Sequence, residues 1–75
     1  MVKVTVKLFA TLQTGRFEIR NEEFEDGVTV NDVMCKYGLT KGQVLLILIN
    51  GRHADYETPL AQGDTVALFP PIGGG

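Results

Sequence analysis

Cysteine is almost absent from this sequence. Of 75 residues only Cys35 carries a thiol, His53 is the one imidazole, and tryptophan is missing. One thiol cannot close an internal disulfide, and one thiol with one imidazole cannot complete a structural zinc site. Long apolar runs are missing too. The longest, residues 44–49, has six members, which suits a strand and falls far below the ~20 residues that span a bilayer. No signal-like apolar stretch is visible. With the lone cysteine, these absences lead to the expectation of a reduced, cytoplasmic setting and no membrane partner. Basic residues are also in short supply, seven against nine acidic ones for a net charge of −2. That balance gives no attraction to a phosphate backbone, so nucleic acid is not expected as a partner.

What remains must fold by packing alone. Seventy-five residues make one domain. At 8.2 kDa, surface scaling gives about 4,500 Å² exposed when folded against about 12,000 Å² unfolded, so roughly 60% is buried. That suffices for one layered core and leaves little for a deep enzyme cleft. The 44% hydrophobic content makes such a core attainable.

Periodicity supplies the elements. Residues 2–8 alternate apolar and polar without a slip, the period of a half-buried strand. Residues 16–20 alternate again, which predicts a second strand with Phe17 and Ile19 inward, joined to the first through a loop centred on Gln13, Thr14 and Gly15. Thr29 with Asp32 fits a capping box. Val30, Val33, Met34 and Tyr37 then recur on one helical face, and Gly38 supplies the stop. Residues 44–49 read as a strand, Asn50-Gly51 as a tight hairpin turn, and residues 52–54 as a short return strand. Residues 65–69 form the last strand, which Pro70-Pro71 ends because proline donates no hydrogen bond. One apolar helix face and one sheet predict an α+β domain with the helix packed across a mixed sheet of four to five strands. The first and last strands are expected as central, parallel neighbours.

Six of the nine glycines fall at turns or helix ends, whereas Gly73, Gly74 and Gly75 follow the last strand and stabilise nothing. A frayed terminus is the plain explanation. The alternative is a working tail. Pro70-Pro71 stiffens the exit, and from there an extended chain reaches roughly 20 Å. Without Cβ atoms such a tail can thread a narrow channel in another protein and deliver a carboxylate. Activated as an acyl-adenylate, a carboxylate can accept sulfur and become a nucleophilic thiocarboxylate.

Parity in the strands predicts a partner surface. If Val66 and Leu68 face the helix, Thr65, Ala67 and Phe69 face away. Taking Leu45, Ile47 and Ile49 inward leaves Val44, Leu46 and Leu48 outward. Were the two strands neighbours, Leu46, Leu48, Ala67 and Phe69 would form an apolar patch beside the tail, with Phe69 as its anchor. The alternatives are a sheet covered on both faces or an inverted parity. Cys35 lies about 140° from Val30 around the helix, and no neighbouring base or cation marks it as reactive. His53 reads as a surface residue. Glu22, Glu23, Glu25 and Asp26 read as a solvated edge, with a complement to a basic partner surface as the alternative, and Asp64 as turn chemistry.

The run Asp64-Thr65-Val66-Ala67-Leu68-Phe69-Pro70-Pro71-Ile72-Gly73-Gly74-Gly75, preceded by Leu60-Ala61-Gln62-Gly63, resembles the C-terminal signature of the MoaD/ThiS sulfur carriers. The resemblance extends to length, element order, Thr29 before the helix and Asn50-Gly51. It implies a β-grasp, ubiquitin-like domain over residues 1–72 and a glycine tail over residues 73–75. Phe69-Pro70-Pro71 is more similar to the molybdopterin synthase small subunit branch than to the thiamin branch, although Gly73 stands where that branch often has another small residue. In that branch the resemblance implies a protein cosubstrate and not an enzyme. Its final glycine, here Gly75, becomes a thiocarboxylate that donates sulfur to a pterin precursor, with Gly73 and Gly74 threading a partner's channel. Phe69, Pro70, Pro71, Ile72, Leu46, Leu48 and Ala67 would meet the partner. It also implies a ubiquitin-activating-like adenylating enzyme, a molybdopterin synthase large subunit or thiazole synthase, and a sulfur donor such as a cysteine desulfurase or rhodanese. ATP and Mg would be used by the activating partner, with no cofactor or metal on the chain itself, which is expected to be a monomer when free. Three rivals stay open: a carrier for thiamin thiazole or another sulfur route, a modifier attached to lysines, and a plain binding module.

Overall fold

In a computed structural model, the structure describes residues 1–71. Strand β1, Val2–Leu8, forms where the alternation demands it, and Val4, Val6 and Leu8 are buried with at most 1% exposure. It pairs antiparallel with β2, Ile19–Phe24, and parallel with the last strand, β5, Thr65–Phe69. Between them come the helix α1, Val30–Lys36, then β3, Leu46–Ile49, and β4, Arg52–His53. The sheet has the order β2-β1-β5-β3-β4, so the first and last strands are parallel neighbours, as expected.

The helix starts where it does because of its cap. The Asp32 N–H donates to Thr29 Oγ1 (3.3 Å) while the Thr29 N–H donates to Asp32 Oδ2 (3.0 Å), a reciprocal arrangement that satisfies two otherwise orphaned donors. Val30, Val33 and Met34 are fully buried and meet Val4, Val6, Ile47, Val66 and Leu68 in one core. Gly38 follows in the left-handed conformation, at φ 72°. The helix therefore covers one face of the sheet, and no other element among the described residues covers the opposite one.

Two local expectations are overturned. The second strand occupies Ile19–Phe24 and not residues 16–20, and Ile19 is 56% exposed. Its register pairs Ile19 with Lys7, which places it on the face away from the helix. Phe17 stays in the connection, half-buried at the core's rim, with its ring edge-on to Tyr37 at 4.9 Å. The acidic residues Glu22 and Glu23 thus lie inside a strand. Glu22 accepts the Tyr37 hydroxyl (3.2 Å) and pairs with Lys36 (3.8 Å).

The second correction concerns residues 44–49. Val44 is fully buried and Leu45 is 65% exposed, the reverse of the expected order, although Leu46, Ile47 and Leu48 follow it. The Leu45 N–H donates to the Phe69 carbonyl (2.8 Å), yet Phe69's register partner is Leu46. Two residues thus oppose one, the count of a β-bulge, and alternation slips by one at that point.

Candidate functional site

The bare face of the sheet carries the site. Because Val66 and Leu68 are buried on the helix side, Ala67 and Phe69 point outward. The antiparallel register sets Leu46 against Phe69 and Leu48 against Ala67. The four patch residues expected from parity are therefore brought together as two direct cross-strand pairs, with no layer of the described residues covering them.

Three residues join them that sequence reasoning missed. Phe9 lies one step past β1, and its ring stacks on Phe69 with centroids 4.2 Å apart and planes inclined by 12°. Carrying the alternation of β1 one position further would have found it. Leu45 is turned outward by the bulge, and Ala10 stands at the start of a 3₁₀ turn, Ala10–Gln13, with φ 54°. Phe9, Ala10, Leu45, Leu46, Phe69, Pro70 and Pro71 line one groove of about 530 Å³. It is an apolar cradle at the point where the last strand hands the chain to its prolines. The remaining predicted site residues, Ile72, Gly73, Gly74 and Gly75, lie outside the described residues.

The rigid frame beneath the groove comes from a polar clasp at the other end of β5. In the Asn50-Gly51 turn both residues have positive φ, 54° and 83°, as a two-residue hairpin of this kind requires. That conformation frees the Asn50 side chain to bridge: its Nδ2 donates to Asp64 Oδ1 (2.9 Å), and its Oδ1 accepts from the Thr65 N–H (2.9 Å). Asp64 Oδ2 accepts from the Ala61 N–H (2.8 Å). The start of β5 is thereby tied to the β3–β4 turn, and the strand's register sets where Phe69 points.

Elsewhere the surface is chemically quiet. Cys35 is exposed on α1 and His53 is exposed on β4. Among the described residues, no group of three or more histidine, cysteine, aspartate or glutamate side chains could hold a metal ion. No helix among them is long and apolar enough to cross a membrane. One titration is clearly perturbed: burial, reinforced by the neighbouring Glu22 carboxylate, pushes the Tyr37 hydroxyl up to about 12. Tyr37 sits on the helix side, away from the groove, and fastens β2 to α1.

The profile of the ThiS family matches residues 6–75, nearly the whole chain. The chain belongs to the ThiS family. Solved structures agree with that membership and with the ubiquitin-like β-grasp fold. The molybdopterin converting factor subunit 1 designated in Pyrococcus furiosus is 26% identical, with a TM-score of 0.77 over 96% of this chain and 100% of that one. Small archaeal modifier protein 1 of Methanosarcina acetivorans is 28% identical, with a TM-score of 0.72 over 100% of this chain and 98% of that one. A chain from the complex of subunits 1 and 2 of the Helicobacter pylori molybdopterin-converting factor is 25% identical, with a TM-score of 0.66 over 99% of this chain and 100% of that one. No curated protein sequence matches significantly.

Proposed function

We propose that this ThiS-family chain is a sulfur carrier: a protein cosubstrate whose Gly75 carboxylate is adenylated and converted to a thiocarboxylate that donates sulfur in molybdopterin biosynthesis. The observation that carries the reading is the placement of the Phe9–Phe69 groove. Its walls end in Pro70 and Pro71, four residues before Gly75, so a partner that grips the groove holds the root of the glycine run. The domain is then a handle, and the chemistry happens in the partner.

The steps balance without a catalytic group on this chain. The Gly75 carboxylate attacks the α-phosphorus of ATP, bound with Mg by the activating enzyme, and pyrophosphate leaves. The terminal sulfur of a persulfide, supplied by a cysteine desulfurase or rhodanese, attacks the acyl carbon and AMP departs. A second thiol then cleaves the resulting acyl disulfide by exchange, which releases the thiocarboxylate. The Helicobacter pylori relative is seen with its subunit 2, which favours a synthase large subunit as the acceptor partner here, with a thiazole synthase as the corresponding partner in a thiamin route.

Incubation with the activating enzyme, ATP, Mg and a persulfide donor should raise the intact mass by the difference between sulfur and oxygen. Absence of that gain, with the enzyme shown to be competent on its own carrier, would remove the proposal. The likeness to small archaeal modifier protein 1 favours one second reading, a modifier joined to lysines through the same activated Gly75. Conjugates in cells that disappear when Gly74 and Gly75 are deleted would support it.

A further inference from the structure

The apolar face is not electrically neutral at its edge. One register row crosses the whole sheet on the outer side: Ile19 on β2, Lys7 on β1, Ala67 on β5, Leu48 on β3 and His53 on β4. Lys7 is the one obligate ion in that row, and its two cross-strand neighbours, Ile19 and Ala67, are apolar. It is only partly exposed, and among the described residues it forms no ion pair. The other outward lysine of β1 is differently placed, because Lys3 stands opposite Glu23. Thr5, between the two, bonds Asn21 through its hydroxyl (2.6 Å). Glu18 borders the same shallow depression as Lys7 without forming an ion pair with it.

A lysine flanked across the sheet by Ile19 and Ala67 and in no ion pair among the described residues is costly to cover unless the covering surface brings an anion. We propose that the protein seated on this face presents a carboxylate to Lys7, beside an apolar surface that fills the Phe9–Phe69 groove. The backbone of Lys7 lies one strand spacing, about 4.8 Å, from that of Ala67, so the carboxylate would meet the lysine at the near edge of the apolar contact. Such a pair does little for stability while exposed. In the complex it selects an acid-rimmed partner over an equally apolar one and speeds their encounter. The inference rests on the docking role assigned to this face above, and it adds the partner's charge.

The test uses the intact chain and the activating enzyme that loads Gly75 in the mass assay. Binding is measured at low and high salt for the wild type, K7A, K7E and K3E, with F69A in parallel. K7E should bind about tenfold more weakly, chiefly through a slower association rate, and K7A less weakly than K7E. K3E, with the same change in net charge, should stay within about twofold of the wild type, and the wild type should lose more affinity with salt than K7E does. Equal behaviour of K7E and the wild type, or equal loss in K7E and K3E, would overturn the proposed carboxylate. If F69A also binds normally, the docking face itself is wrong; if F69A alone is impaired, only the charge inference fails. Denaturation midpoints of the lysine variants, expected to match the wild type, keep misfolding out of the comparison.

Discussion

The ring of Phe9 lies flat against that of Phe69, 4.2 Å away and inclined by 12°, and so joins the end of the first strand to the end of the last. A stacked pair of this kind contributes about 0.5–1.5 kcal/mol beyond the area it buries. Its position matters more than its energy. Both rings line the groove together with Pro70 and Pro71, so the pair stands where the last strand gives way to its prolines.

Phe69→Ala should therefore separate two quantities. Removal of the ring takes away the stack and should lower stability by about 1 kcal/mol. It also removes the central aromatic anchor of the docking face, where truncation commonly costs about 2 kcal/mol or more of binding. Sulfur loading measured at subsaturating activating enzyme should fall about thirtyfold or more, with thermal denaturation moved only modestly. A loading rate that tracks the stability loss alone would show that the groove plays no part in docking.

How much of this was legible beforehand follows from which signals are local. The capping box at Thr29 and Asp32, the Asn50-Gly51 turn and the inward Val4, Val6 and Leu8 each depend on neighbours in the chain, and each is found where the pattern put it. Phe17 packs against the core as expected, although outside the strand, whereas Ile19 misleads because β2 is an edge strand. One of its faces is only partly covered, so Arg20 and Glu22 can occupy the helix side, where Arg20 stacks over Phe17 at 4.5 Å and Glu22 bonds Tyr37. Hydrophobic alternation carries little information where burial is partial. At residues 44–46 the apolar run has no polar member to mark the phase, and only the pairing with Phe69 reveals the bulge. The groove could be half read for the same reason: Phe69 and Leu46 came from parity and Phe9 lay one step further along the alternation of β1, while Leu45 required the assembled sheet.

Asp64→Ala should destabilise the fold without touching the groove. The carboxylate accepts from Asn50 Nδ2 at 2.9 Å and from the Ala61 N–H at 2.8 Å. Hydrogen bonds to a charged group are each worth about 1.5–3 kcal/mol when buried and less at an exposed site such as this one. A loss of about 1–2 kcal/mol in urea denaturation is expected, and Asn50→Ala should show a comparable, non-additive loss because both act through one clasp. Full additivity in the double variant would mean that the two side chains are independent.

Tyr37 gives a pH signature. Its hydroxyl titrates at about 12 in the folded chain against 10.0 for the free group, because burial and then the Glu22 carboxylate disfavour the phenolate. The folded state holds this proton more tightly than the unfolded state. The associated stability is complete below pH 10 and falls as pH rises through 12, because between those values the unfolded chain binds fewer protons. Ring-carbon NMR of Tyr37 should report the raised value, and Glu22→Gln should bring it down while leaving part of the shift from burial. A Tyr37 titration at the free value would break the assignment of this contact between β2 and α1.

Val44 and Leu45 are adjacent in sequence and opposite in consequence. Simple alternation would have Leu45 in the core and Val44 at the surface; the bulge against Phe69 exchanges them, leaving Val44 fully buried and Leu45 65% exposed. Val44→Ala should thus cost about 2 kcal/mol by opening a small cavity in the core that Val44 shares with Leu39 and Met34. Leu45→Ser should change stability by no more than about 0.5 kcal/mol, as surface substitutions usually do. The binding experiment should invert that ranking, because Leu45 lines the groove and Val44 does not. Urea denaturation and partner affinity measured on the same two variants decide the register: if Leu45→Ser unfolds the domain and Val44→Ala does not, the bulge is absent and the wall of the groove is built from other residues.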